Sequence, residues 1–392
     1  MRAYRADRAF DGDRVLPSGA LVLVEDGRVL AVEPAATAPP AGVPVTSLPG
    51  TTLLPGLVDA HVHLCGDSGP RALDQLPELD PDEVDRIVAR SLQQHLAAGV
   101  TAVRDLGDVG WAVVDRAPAT GPTVVAAGPP ITSPGGHCAS MGGEVAGVDA
   151  LRTAVRGRAE RGAAVVKLMA SGGVMTPGTD MAACQFTSAE VRAVVEEAHR
   201  LGLPVTAHAH ALGAVRQVLA AGVDGIEHCS GLTVTGWGVP PALAGQLARA
   251  GTVVCPTLGL APGAEPPPRA QALIDRLGMT EQARAEEAAR LHRAGVRLVS
   301  GVDAGIAPGK PHGLLPRAVG SLVDGGVPAS DALRTATGAA ADACGLAGRT
   351  GRLAPGLDAD LLLVDGDPTT DVGALLRVRL VVSRGRQVGS PT

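Results

Sequence analysis

A strand-then-helix rhythm repeated through the middle of this chain limits its fold more than any other feature. Apolar, strand-like runs recur at 57–64, 101–106, 123–127, 163–170, 205–210, 225–229, 252–258 and 297–303. Helical patterns fall between them, at 82–98, 188–201, 211–221 and 280–294 among others. The runs are apolar on both faces, as strands are when helices cover both sides of a parallel sheet. Eight such units predict an α/β protein built as a (β/α)8 TIM-type barrel, with a doubly wound open sheet as the alternative. The ends differ from the middle. Both show short β patterns, and Asp26-Gly27 between two apolar runs is a hairpin signal. Neither end is long enough to make a stable sheet alone. We therefore expect a small β-sandwich assembled from residues 1–52 and 350–392, flanking a barrel over 53–349.

In such a barrel the active site forms at the carboxyl ends of the strands, and chemistry-bearing residues gather there. The first strand closes on His61-Val62-His63, whose alternate side chains share one face. Neutral imidazole is the commonest metal ligand, so the pair reads as half of a metal site. The fifth strand ends in His208 and His210, the sixth in His228 and the eighth in Asp303. Lys167 lies inside the apolar fourth strand. A buried ammonium costs several kcal/mol unless it is paired or loses its charge. A desolvated amine can add carbon dioxide, giving an anionic carbamate able to bridge two divalent cations. The plainer alternative is an ion pair with Asp303 or another acid.

Other histidines are weaker candidates. His137, in the loop after the third strand, either meets a substrate or is a plain loop histidine, and His210 either donates to a substrate or supports a metal ligand from behind. His312 opens the loop after the eighth strand and either meets substrate or marks a helix entry. His95, His199 and His292 fall in helical stretches and are expected at the surface, and Asp105 in a structural salt link.

The net charge of −6 gives no footprint for nucleic acid or an anionic membrane. No apolar run has signal-peptide or transmembrane length, and the six cysteines form no Cys-x-x-Cys pair. A soluble, cytoplasmic protein with a small-molecule substrate is the expectation.

Taken jointly, five segments resemble the amidohydrolase superfamily: Pro55-Gly56-Leu57-Val58-Asp59-Ala60-His61-Val62-His63, Val166 to Met175, Ala207-His208-Ala209-His210, Gly225-Ile226-Glu227-His228 and Gly301-Val302-Asp303-Ala304-Gly305. The tail Gly351 to Leu361 fits as well, so the resemblance spans nearly the whole chain. Lys167-Leu168-Met169-Ala170-Ser171-Gly172-Gly173-Val174-Met175, with His312-Gly313 after Asp303, is similar to the imidazolonepropionase-related branch of Xaa-Pro and Xaa-Arg dipeptidases. Lys167 argues against imidazolonepropionase activity itself. The resemblance implies two divalent ions, zinc first among them. His61, His63 and Asp303 would hold the more buried one, and His208 and His228 the other. Carbamylated Lys167 and a hydroxide would bridge both, and Asp303 would move the proton. It also implies a homo-oligomer.

Two departures bear on the substrate. The sole tyrosine, Tyr4, lies in the terminal unit, so a carboxylate clamp must use arginine, histidine or backbone amides. Val302 stands where relatives carry a small hydroxyl residue. The leading reading is hydrolysis of an amide bond in a dipeptide or N-acyl amino acid. The alternatives are hydrolysis of a cyclic amide or lactone, a metal-dependent lyase or isomerase, and a metal-free binding protein.

Overall fold

The computed structural model describes residues 1–116 and 121–388. The last four residues of the expected terminal unit, 389–392, lie outside the described residues, as do 117–120 within the barrel. The strands of the middle are Leu57–Val62, Val100–Asp105, Thr123–Ala126, Val166–Met169, Val205–Ala211, Gly225–Leu232, Val253–Cys255 and Arg297–Leu298, which we number barrel strands 1 to 8. Strands 1 to 3 pair in parallel, and so do strands 4 to 8. Two seams close the ring through single parallel bridges, Ile131 with Leu168 and Val62 with Ala304. The chain is an α/β protein whose middle is a TIM-type barrel, with extra sheets formed by its termini.

The helices between the strands begin where the local chemistry permits. Asp80 accepts the Glu83 N–H while the Glu83 carboxylate accepts the Asp80 N–H, with Pro81 opening the helix Pro81–Ala97. Thr187 and Glu190 repeat this reciprocal cap on Ser188–Arg200. Each cap satisfies amide donors that the first helical turn leaves unpaired.

The last strands are shorter than the sequence suggests. Strand 7 stops at Cys255 and strand 8 at Leu298, because the backbone beyond them turns out of the ladder. Thr257 and Asp303 have φ of 51° and 65°, and His228 on strand 6 has 67°. These left-handed conformations cost free energy in β-branched and ordinary residues and concentrate at functional sites.

The terminal strands form two sheets. One has the order Arg28–Glu33, Ala20–Glu25, Arg2–Ala6, Val45–Ser47; the other runs Arg386–Val388, Val378–Ser383, Leu361–Asp365, Thr51–Pro55, Arg8–Phe10, Val15–Leu16. Asp26 and Gly27 both take positive φ, 49° and 80°, as the two-residue hairpin requires. Alternation explains why Leu361 to Val364 are apolar without a break. Leu361 and Leu363 pack with Tyr4, Val22 and Leu53 between the two sheets, whereas Leu362 and Val364 pack with Leu54 and Phe10 against the barrel. Among the described residues no helix is long and apolar enough to cross a membrane.

Candidate active site

The carboxyl ends of strands 1, 4, 5, 6 and 8 deliver their polar residues to the floor of one cavity. His61, His63, His137, Lys167, His208, His210, His228 and Asp303 all line it. Two groups of donors stand out. His61, His63 and Asp303 offer ligand atoms within 4.8 Å of one another, and so do His208, His210 and His228. The Asp303 carboxylate lies 3.1 Å from Nε2 of His63 and 3.3 Å from Nε2 of His61. The ring of His210 stacks on His228 with centroids 4.4 Å apart. His210 therefore joins His208 and His228 in the second group, beyond the substrate role that the sequence suggested.

Burial sets the electrostatics. It pulls His61 down to about 4 and His210 and His137 down to about 3, with His208 and His228 also well below the usual value. These imidazoles are neutral at pH 7, the form that binds metal ions. Burial opposes charge on Asp303 too, yet the His61 and His63 rings hold its carboxyl below the usual range.

Lys167 is 1% exposed, and its Nζ is a buried polar atom without a hydrogen-bond partner. Desolvation lowers its pKa. No ion pair with Asp303 forms among the described residues. An orphaned amine lining the same cavity as two groups of nitrogen and oxygen donors fits a pair of divalent cations, since those donors suit zinc and its neighbours.

The residues behind the ligands were missed in the sequence. His61 Nδ1 donates to Glu227 at 2.8 Å, His63 Nδ1 to the Gly107 carbonyl at 3.0 Å, and His228 Nδ1 meets the Thr257 hydroxyl at 2.7 Å. Such partners fix which ring nitrogen faces the metal. The Glu227 carboxylate also accepts from Thr206 Oγ1 at 2.5 Å and Arg104 Nη2 at 3.1 Å. Burial works against its charge, but His61 and Arg104 hold it well below the usual carboxylate range. Its signal was present: an acid inside an otherwise apolar strand, one residue before His228. Glu227→Gln is expected to cost about 3 kcal/mol, because Arg104 loses its buried counter-charge, and to weaken metal retention roughly tenfold to a hundredfold. Denaturant unfolding and metal titration check the two halves.

His137 reaches the cavity because Gly173 lets it. An ideal Cβ at Gly173 would stand 2.3 Å from His137 Nε2, so only glycine allows the ring to lie there. Nδ1 of His137 meets Thr176 Oγ1 at 2.8 Å. His312 is not brought to the cavity lining. Its Nε2 donates to the Gly66 carbonyl at 2.8 Å, and its Nδ1 meets Nε2 of His95 at 3.1 Å. His95 is thus fully buried rather than at the surface, whereas His199 is exposed as expected and His292 is half-buried. Asp105 forms no salt link among the described residues; it accepts the Leu64 and Gly107 N–H groups at 2.7 and 3.2 Å instead.

The buried imidazole pair predicts acid sensitivity. Burial pulls His312 down to about 4, below its unfolded value of about 6.5. A depressed histidine stabilises the fold above pH 6.5 and loses that contribution as pH falls toward 4. Between pH 7 and 5 this amounts to about 2 kcal/mol. His312→Gln should lose about 2 kcal/mol less than the wild type over that interval, measured by urea unfolding at both pH values.

Comparison with known proteins agrees with this geometry. An ochratoxinase of Aspergillus niger is 30% identical over 355 residues, covering 82% of this chain and 71% of that protein. A prolidase solved with N-methylphosphonate-L-proline is 26% identical with a TM-score of 0.82, covering 100% of both chains. A Xaa-Pro dipeptidase with methionine in its active site shares the fold, at 24% identity and a TM-score of 0.85 over 99% of both chains. Residues 52–388 match the model of the amidohydrolase family. With that match extending over the barrel, both donor groups and the C-terminal strands, this chain belongs to the amidohydrolase family and is a hydrolytic enzyme acting on amide bonds.

Proposed function

We propose that the protein is a binuclear metal-dependent hydrolase that cleaves the amide bond of a dipeptide or an N-acyl amino acid. The observation that carries this reading is the partnerless Lys167 amine, buried in the lining of the same cavity as the two donor groups. Addition of carbon dioxide to that amine forms one N–C bond and releases one proton. The resulting carbamate would offer an anionic ligand to ions held by either group. His61, His63 and Asp303 would hold one ion, and His208 and His228 the other, with zinc as the favoured metal. Two divalent ions supply a water acidified toward neutral pH and polarise the substrate carbonyl.

The chain's own residues do the rest. Glu227, Gly107 and Thr257 fix the imidazoles. Asp303, ionised beside His61 and His63, takes the proton of the attacking water and hands it to the departing nitrogen. His137 and His210, both on the cavity wall, are placed to orient the substrate carbonyl. The prolidase complexed with an N-phosphonylated proline supports an amino-acid amide as the substrate type.

Elemental analysis with a screen of dipeptides and N-acyl amino acids tests the proposal. About two metal equivalents and products heavier by one water are expected. Two metals with no amide cleaved, or a product without added water, would point to a cyclic substrate or an elimination. Zero or one metal equivalent would leave Lys167 structural and overturn the mechanism.

A further inference from the structure

Among the described residues the cavity is lined by two cations that the chemistry above does not use, Lys310 and Arg284. Lys310 lies in the loop after strand 8 and is 9% exposed, yet it lines the cavity. Among the described residues its Nζ makes one hydrogen bond, to the Thr257 carbonyl at 2.9 Å, and no carboxylate pairs with it. The neighbouring cation is committed: Arg284 donates to the Pro256 carbonyl at 2.7 Å and to Glu281 at 3.3 Å. The Glu281 carboxylate also accepts the Gly259 N–H. Lys310 itself is held in place by its backbone, whose N–H donates to the Ala307 carbonyl and whose carbonyl accepts from the Gly305 N–H, both at 2.8 Å. An ammonium this buried is costly without an anion. Burial draws it down to about 8, so it stays protonated at pH 7.

Thr257 places this cation relative to the metal ligands. Its hydroxyl meets Nδ1 of His228 at 2.7 Å while its carbonyl accepts from Lys310. The free donors of Lys310 thus stand on the strand 7 and strand 8 side of the donor groups. The cavity lining includes the apolar Leu260, Leu273, Met279, Ile306 and Ala307, and also Glu265 and Glu281.

We infer that Lys310 is the carboxylate clamp of this enzyme, pairing with the free α-carboxylate of an apolar amino-acid residue whose acylated nitrogen faces the metal ligands. This rests on the amide-hydrolase reading and deepens it. A lysine takes the place of the arginine, histidine or backbone amides to which the absence of a barrel tyrosine had pointed. It favours an open-chain acyl amino acid over a lactone or cyclic amide, neither of which needs the charge.

The test uses two probes that amide hydrolysis does not consume: N-(octylsulfonyl)-L-leucine and its counterpart lacking the carboxylate, N-(3-methylbutyl)octanesulfonamide. Calorimetry on the metal-loaded protein should show the carboxylate probe binding tighter by about tenfold to a hundredfold, the worth of one charged hydrogen bond. Lys310→Met should bring that ratio close to one, and Lys310→Arg should keep part of it. Metal content of each variant confirms that the site is intact. Equal binding of both probes by the wild type overturns the clamp, as does failure of both to bind, or a preference that survives in Lys310→Met. A carboxylate preference abolished by Lys310→Met in a protein that cleaves no amide would uphold the clamp and sink the hydrolase reading instead.

Discussion

Lys167→Met is expected to fold, to retain about one of two metal equivalents, and to lose amide cleavage by roughly a thousandfold or more. The fold should survive because Lys167 makes no hydrogen bond that methionine would forfeit. Methionine has nearly the same length and flexibility, and it removes a buried amine that burial already penalises. The stability of the variant should therefore equal or exceed that of the wild type, a result opposite to that for an ordinary core polar residue. Activity should fall because the two donor groups would lose the shared bridge proposed for Lys167. Elemental analysis and unfolding curves on the same preparations separate the arms. Unchanged metal content with full activity would show that Lys167 is no bridge, and a severe loss of stability would show an unrecognised structural partner.

Much of this site was legible in the sequence, for physical reasons. A residue spacing of two places His61 with His63 and His208 with His210 on one face of a strand, and strand ends converge in a closed barrel. Lys167 was conspicuous because an apolar strand tolerates a lysine only for cause. The groups behind the ligands were less visible. Glu227 sits beside His228 in sequence but serves His61, 166 residues away. His95 and His312 meet across 217 residues, and their helix and loop patterns carry no trace of the pairing. Lys310 lies in a loop rich in glycine and proline, where no periodicity shows which way a side chain points. The helix Pro268–Leu277 is hard to see in the sequence because it opens on the last of three consecutive prolines, and none of its residues is fully buried. Strand 8 is shorter than its pattern because the apolar Val299 and Val302 continue past Leu298, where the ladder ends.

Asp303 carries the other large effect. Asp303→Asn should lower kcat by roughly a hundredfold to ten-thousandfold, while KM changes by much less. Asparagine keeps an oxygen at the same position, so it can still face His61 and His63, but it cannot accept a proton. The wild-type carboxyl is held ionised beside these rings, and its left-handed backbone, with φ of 65°, fixes where it points. Asparagine tolerates that conformation nearly as well as aspartate, so the loss should be chemical rather than conformational. Metal analysis of the variant must accompany the kinetics, since a drop in metal content would explain lost turnover without any proton transfer. With metal retained and kcat reduced, Asp303 is the proton carrier. With metal retained and kcat unchanged, the proton moves through another group, and His137 and His210 on the cavity wall become the candidates. Product mass in the same assay shows whether any residual turnover still adds water, the feature that separates hydrolysis from elimination at this site.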